Sequence, residues 1–169
     1  MSADKFKNRL IIIPEDDANR QIANGFENAL TQKKSKAIQV LPIARGWKKV
    51  LDTFHKEHIS NMRKYPKRNV LLLIDFDVKE GGAGHDHRLD YMKESIPADL
   101  KNRVFVLGSL SNPEDLKKAN NSPNTFEDIG KALAQDCFDG TNLIWGHDLL
   151  DHNQDDLKLM KKSVKPFLF

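Results

Sequence analysis

The sequence contains only one cysteine, Cys137, among its 169 residues. A single cysteine excludes a disulfide framework within the chain, and it argues against a cysteine-based zinc site. Because a lone cysteine behaves as a small apolar residue, we expect Cys137 to be buried in the core.

Long apolar runs are also absent. The longest aliphatic run extends only from Val70 to Ile74, far short of the roughly 20 residues that a membrane-spanning helix needs. The segment from Met1 to Arg9 contains no apolar stretch of signal-peptide length. We therefore expect a cytoplasmic protein without a membrane partner.

The charges are nearly balanced, with 27 Lys and Arg against 24 Asp and Glu and a net charge of +3. This is a weak bias towards anionic partners, and it does not by itself demand a nucleic acid. Hydrophobic residues make up 39% of the chain, which is enough for one core. We expect residues 1–169 to form a single domain.

Short apolar runs alternate with segments that have helical periodicity. The predicted strands are 10–13, 38–43, 70–74 and 104–107, with a short fifth at 143–145. The principal predicted helices begin after Asp16, after Gly46, near 111–115 and near 126. Two more cover 89–95 and 155–162. This alternation predicts an α/β, Rossmann-like fold with a mostly parallel, four- to five-stranded sheet and helices on both faces. The strand at 70–74 should be central, and the one containing Pro42 peripheral.

Three carboxylates follow predicted strands. Glu15 comes after the first strand, and Asp75 and Asp77 come after the third. Ligands collect at the carboxyl ends of strands in open parallel sheets, and crowded carboxylates repel unless a cation or a proton lies between them. Mg²⁺ or Mn²⁺ would relieve that repulsion. The alternative for an isolated Asp-x-Asp is a turn with capping or surface carboxylates.

The order strand-Glu-helix, strand-Gly-helix, strand-Asp-x-Asp resembles the Toprim domain. The similarity covers residues 9–78: an aliphatic strand before Glu15, Gly46 at the start of the second helix, and Leu71-Leu-Leu-Ile-Asp-Phe-Asp77. Because the chain lacks the large additional domains of topoisomerases and primases, it is most similar to a stand-alone Toprim domain, as in nucleases of the overcoming-lysogenisation-defect type.

The resemblance implies a metal-dependent nuclease. Asp75 and Asp77 would hold Mg²⁺ or Mn²⁺, and Glu15 would be a further ligand or a general acid/base. Arg45 and Lys48, which flank Gly46, would contact substrate phosphate at a helix N-terminus. For Lys48, an ordinary solvated helix face is an equal alternative.

Two other functions stay open. The chain is alternatively a catalytically silent Toprim-like binding module that works with a partner protein such as an ATPase. Ile74-Asp-Phe-Asp-Val78 also resembles the first motif of haloacid-dehalogenase-type phosphatases, in which Asp75 would be the nucleophile.

We expect His85-Asp86-His87 to belong to a mobile polar loop that extends from Lys79 to Arg88. The alternatives are a zinc or manganese site, or a histidine that donates a proton at the carboxylates. The pair Asp151-His152 shows no sequence link to Asp75. The aromatic C-terminus, Pro166 to Phe169, should dock into the core, since free apolar tails are unfavourable.

Overall fold

The structure is a computed structural model that describes residues 6–77, 85–118 and 124–169. Its sheet consists of four strands, β1 (Arg9–Pro14), β2 (Ile38–Val40), β3 (Arg68–Leu73) and β4 (Val104–Leu107). All neighbouring strands are parallel, and their order is β2-β1-β3-β4. The predicted α/β fold is confirmed, with β3 inside the sheet and β2 at its edge.

Helices connect and flank these strands. They are α1 (Asp17–Asn28), α2 (Gln32–Ser35), α3 (Trp47–Thr53), α4 (Ile59–Lys64), α5 (His85–Glu94), α6 (Glu114–Lys118), α7 (Phe126–Asp139) and α8 (Gln154–Leu168). A π-helical turn, Phe54–His58, joins α3 to α4, and 3₁₀ segments cover Ala98–Arg103 and Asp151–Asn153. Helix α5 begins earlier than predicted, and α8 continues beyond residue 162 to the end of the chain.

Alternate residues of β1 belong to two separate hydrophobic clusters. Leu10 and Ile12 pack with residues of α1, α7 and α8, which form the first cluster. Ile11 and Ile13 pack with residues of α3, α5 and the π-helical turn, which form the second cluster. Since successive side chains of a strand point to opposite faces, this division explains why an uninterrupted aliphatic run is buried throughout.

The fifth strand predicted at 143–145 is wrong. These residues form a turn, because the buried carboxylate of Asp136 in α7 collects their backbone N–H groups. Leu143 N, Ile144 N and Trp145 N donate to Asp136 over 3.1, 2.7 and 3.1 Å. Their donors are therefore used by a side chain and not by a neighbouring strand.

Helices α1 and α7 cross at two glycines. A Cβ atom on Gly130 would lie 1.9 Å from the carbonyl oxygen of Ile22, and one on Gly25 would lie 1.9 Å from that of Glu127. No side chain fits at either point, so glycine allows the two backbones to approach this closely.

The edge of β4 that does not pair with β3 is covered by the C-terminal segment. Asn153 donates to the Gly108 carbonyl over 2.9 Å and accepts from Gly108 N over 3.0 Å. Val106 N donates to Asp156 Oδ2 over 2.7 Å, and Lys93 pairs with the other Asp156 oxygen. These contacts satisfy an edge that would otherwise pair with another strand.

Two predictions about burial are confirmed. Cys137 is buried and its thiol pKa is raised to about 11, chiefly by desolvation. The C-terminus docks, with the Phe169 ring 5.9 Å from that of Phe26 and 5.2 Å from that of Phe138. Within the described ranges, no helix has the length and apolar character needed to cross a bilayer.

Candidate functional site

The sheet brings Glu15 and Asp75 together at the carboxyl ends of β1 and β3. The last pair in register is Pro14 with Leu73, and Glu15 N donates to the Leu73 carbonyl over 2.9 Å. Asp75 N then donates to Glu15 Oε2 over 2.6 Å. The two acidic residues that the sequence places 60 positions apart are thus in direct contact through one side chain and one backbone amide.

Asp16 and Asn19 complete the surroundings of Asp75. Asp16 is the N-cap of α1 and accepts a hydrogen bond of 2.9 Å from Asn19 N. The charge of Asp16 raises the pKa of Asp75, and the nearby Asn19 side chain lowers it. Neither Asp75 Oδ1 nor Asn19 Nδ2, both buried, makes a hydrogen bond of regular geometry. The Asn19 amide and the Asp16 carboxyl are therefore close to the Asp75 carboxyl, although Asp75 Oδ1 makes no hydrogen bond of regular geometry.

Burial and like charges shift the protonation of both carboxyls. Desolvation, followed by the charges of Asp16 and Glu15, raises the pKa of Asp75 to about 8. Desolvation also raises the pKa of Glu15, against the opposing effect of the hydrogen bond from Asp75 N. In the absence of a cation, the site therefore retains a proton on a carboxyl near neutral pH.

Asp77 lies at the edge of this cluster. Its side chain is exposed, whereas Phe76 beside it is buried and donates its backbone N–H to the Ser109 carbonyl over 2.9 Å. The φ angle of Asp77 is +50°, a left-handed conformation that Asp tolerates better than most residues and that ends the extended segment. The charge of Asp77 contributes to the raised pKa of Glu15, so Asp77 is near enough to act on the same site.

Arg88 is a site residue that the sequence reasoning missed. Its guanidinium donates to the Asp75 carbonyl oxygen and stacks 4.8 Å from the centroid of the Trp47 ring. Its charge lowers the pKa of Glu15. Arg88 lies in α5, after a segment that contains the undescribed residues 78–84, and no spacing rule connects it with Asp75. Its position directly after the Gly- and His-rich segment was the only available signal.

Arg45 and Lys48 lie near the cluster, but neither side chain pairs with its carboxylates. Arg45 N donates to the Glu15 carbonyl over 2.8 Å, with a left-handed φ of +70°. The side chains of both residues are exposed, and neither pairs with an acidic residue of the described chain. Lys48 lies over the Trp47 ring at 5.5 Å. Contact of these two side chains with phosphate stays a prediction.

The histidine segments behave differently from one another. The His152 ring packs edge-on against Phe76, with 5.0 Å between ring centroids, so the tertiary structure supplies the link to the Asp-x-Asp motif that the sequence did not show. His85 and Asp86 open α5 and are not in a loop, although their side chains lie outside what the structure describes. Residues 79–84 of the predicted mobile loop also lie outside the described residues.

The carboxylates meet some requirements of a magnesium site. Oxygen ligands of the correct kind are present, and Asp75 Oδ1 is buried without a hydrogen-bond partner. However, no group of three or more His, Cys, Asp or Glu side chains in ranges 6–77, 85–118 and 124–169 is arranged to hold a metal ion. The Mg²⁺ or Mn²⁺ site on Glu15, Asp75 and Asp77 therefore stays a prediction.

Comparison of the chain with protein-family models, with curated proteins and with solved structures finds no significant match.

Proposed function

We propose that this chain is a divalent-metal-dependent phosphoryl-transfer protein that acts on nucleic acid, as a small Toprim-like nuclease. The observation that carries the proposal is the contact between Glu15 and Asp75 at the carboxyl ends of two central strands, where the buried Asp75 Oδ1 makes no hydrogen bond of regular geometry. Asp75, Asp77 and Glu15 would hold Mg²⁺ or Mn²⁺. The bound ion would neutralise charge on a phosphodiester.

The side chains around this position have complementary roles. Glu15, whose pKa is raised by burial, is suited to move a proton at neutral pH as a general acid/base. Its hydrogen bond from Asp75 N fixes the direction of its carboxylate. Arg88, held against Trp47, would orient a phosphate oxygen next to the carboxylates.

Nicking of supercoiled plasmid and cleavage of single strands, each with Mg²⁺ or Mn²⁺, test this proposal. We expect Asp75→Asn to abolish cleavage without unfolding the protein, because asparagine preserves the shape of the side chain and removes its charge. Asp52→Asn is the matched control, since Asp52 is an exposed helical carboxylate distant in the sequence from the cluster. If wild type and Asp75→Asn are equally inert with both metals, the nuclease proposal fails.

A catalytically silent binding module that works with a partner protein is the second candidate. Arg88 favours it, because its guanidinium already places a positive charge among the carboxylates. In such a module the Arg88 guanidinium would neutralise the carboxylates in place of Mg²⁺ or Mn²⁺. Calorimetric titration separates the two functions: the nuclease requires Mg²⁺ or Mn²⁺ binding at millimolar concentrations, and the silent module predicts none in wild type but measurable binding in Arg88→Ala.

A further inference from the structure

A basic pocket lies at the amino end of the sheet, opposite the carboxylates. It has a volume of about 670 Å³ and is lined by Lys7, Arg9, Lys33, Lys34, Lys36 and Phe167, together with two small or polar residues. Among the described residues that line it, none is acidic. We refer to these five cations and Phe167 as the basic pocket.

The fold assembles the basic pocket from three separate segments. Arg9 begins β1, and its guanidinium donates to the Lys36 carbonyl over 3.0 Å. Lys33 and Lys34 belong to α2, whose N-cap Thr31 accepts from Lys34 N. The last turn of α8 supplies Phe167, which packs on the first hydrophobic cluster. Leu10 N also donates to the Ala37 carbonyl over 2.8 Å, so the backbones that carry Arg9 and Lys36 are held next to each other.

Four of the five cations in the pocket form no ion pair with the described residues. Within the described chain, Arg9, Lys33, Lys34 and Lys36 have no carboxylate within 4.0 Å. Lys33 and Lys36 are exposed, and Arg9 and Lys34 are half-buried. Uncompensated cations that converge on one concave surface attract an anionic chain and release its counterions.

Aromatic rings accompany these cations. Phe167 forms part of the pocket wall, and Phe6, which directly precedes Lys7, has 58% of its surface exposed. Basic grooves that combine phosphate contacts with aromatic platforms are typical of proteins that bind single strands, because unpaired bases stack on the rings.

We propose that the basic pocket binds the phosphodiester backbone of single-stranded nucleic acid. Arg9 and Glu15 lie at opposite ends of β1, roughly 20 Å apart at the rise of an extended strand. The pocket is therefore distinct from the carboxylate cluster, and its occupation does not require a metal or any catalytic step.

Fluorescence anisotropy with labelled oligonucleotides of about 20 nucleotides, a length that spans one or more typical single-strand sites, tests the proposal. The buffer contains EDTA, so that the carboxylate cluster holds no divalent ion. We expect wild type to bind, with an affinity that falls steeply between about 50 and 200 mM salt. Separate oligo-dT and oligo-U arms show whether DNA or RNA is preferred.

The decisive variant reverses Lys33, Lys34 and Lys36 to glutamate. We expect at least about a tenfold loss of affinity, whereas Lys101→Glu/Lys131→Glu/Lys158→Glu, an equal charge change at exposed positions elsewhere, changes it less than about threefold. Circular dichroism and thermal unfolding verify that both variants fold. Equal losses in the two triple variants, or no binding by wild type at low salt, would overturn the proposal.

Two further arms identify the ligand. Phe167→Leu should weaken binding of oligonucleotides about fivefold or more and leave inorganic polyphosphate unaffected, because only bases stack on the ring. Poly-glutamate should compete poorly. Competition by poly-glutamate equal to that by oligonucleotide would instead make the pocket a site for acidic peptides, and an unchanged affinity in Phe167→Leu would contradict base stacking.

Discussion

The pKa of Asp75 differs strongly between the folded protein and an exposed side chain. Its pKa is raised from 3.8 to about 8, first by burial and then by the charges of Asp16 and Glu15. Between these two values the folded protein holds a proton that the unfolded chain has released. The free energy of unfolding therefore falls as pH rises through this window.

We accordingly predict that wild type, in EDTA, loses on the order of 2 kcal/mol of stability between pH 5 and pH 8 relative to Asp75→Asn. This is less than the full shift implies, because the site is partly open to solvent and Glu15 shares the proton. Urea unfolding at both pH values measures the difference. Parallel pH dependence in the two proteins would show that Asp75 titrates normally in the folded state.

Asp136 shows how one side chain determines the conformation of a whole segment. Its two oxygens accept four hydrogen bonds, including one of 2.7 Å from Thr141 Oγ1, and hold residues 141–145 as a turn. The carboxylate is buried, with 2% of its surface exposed. An amide NH₂ group in place of Oδ2 would face the N–H groups of Ile144 and Trp145, and one in place of Oδ1 would face the N–H group of Leu143.

We expect Asp136→Asn to lower the free energy of unfolding by about 3 kcal/mol, because buried donors lose charged acceptors. Trp145, whose indole donates to the Leu133 carbonyl over 3.1 Å, reports the local change by fluorescence. Asp139→Asn, an exposed carboxylate at the end of the same helix, is the control and should change stability little. Similar losses in both variants would rule out a special role for Asp136.

At the scale of elements, the contact between α1 and α7 depends on glycine. We predict that Gly130→Ala lowers the free energy of unfolding by about 2–3 kcal/mol, since its Cβ would overlap the Ile22 carbonyl and force the helices apart. Lys131→Ala, at an exposed position of α7, should have almost no effect. Chemical denaturation followed by circular dichroism measures both, and a neutral Gly130→Ala would contradict the close approach of the backbones.

The connection between strands also decides which charges meet. In a parallel sheet the carboxyl ends of all strands lie on one side and the amino ends on the other. Glu15 and Asp75 therefore converge at the carboxyl ends, and Arg9 and the lysines around α2 converge at the amino ends. A carboxylate cluster at one end of the sheet and a lysine-rich pocket at the other follow from this topology and are not visible in a net charge of +3.

At the scale of the whole molecule, the sheet joins the two hydrophobic clusters. The two tryptophans of the chain report on them separately, Trp145 in the first cluster and Trp47 against the second. Because β1 contributes residues to both clusters, we expect the two clusters to unfold together.

This prediction is tested with the single-tryptophan variants Trp47→Phe and Trp145→Phe in urea. In each variant, the fluorescence midpoint of the tryptophan that is left should coincide with the midpoint of far-ultraviolet circular dichroism. A fluorescence midpoint clearly different from the circular dichroism midpoint in either variant would mean that the clusters unfold independently.

Local patterns in the sequence were sufficient for the three buried strands β1, β3 and β4 and for two residues of the candidate site. Continuous aliphatic runs predict β1, β3 and β4, because strands of a parallel sheet are buried on both faces. Glu15 and Asp75 were found in the same way, since each directly follows such a run. The burial of Cys137 follows from its apolar character and from its being the single cysteine of the chain.

The tertiary structure decided what local periodicity does not encode. Leu143 to Trp145 have the composition of a strand, but the distant Asp136 carboxylate captures their N–H groups. Arg88 and His152 reach the carboxylate motif only because α5 and the C-terminal segment pack beside β3 and β4. Sequence spacing fixes which residues share one face of one element, whereas contacts between elements depend on how those elements pack.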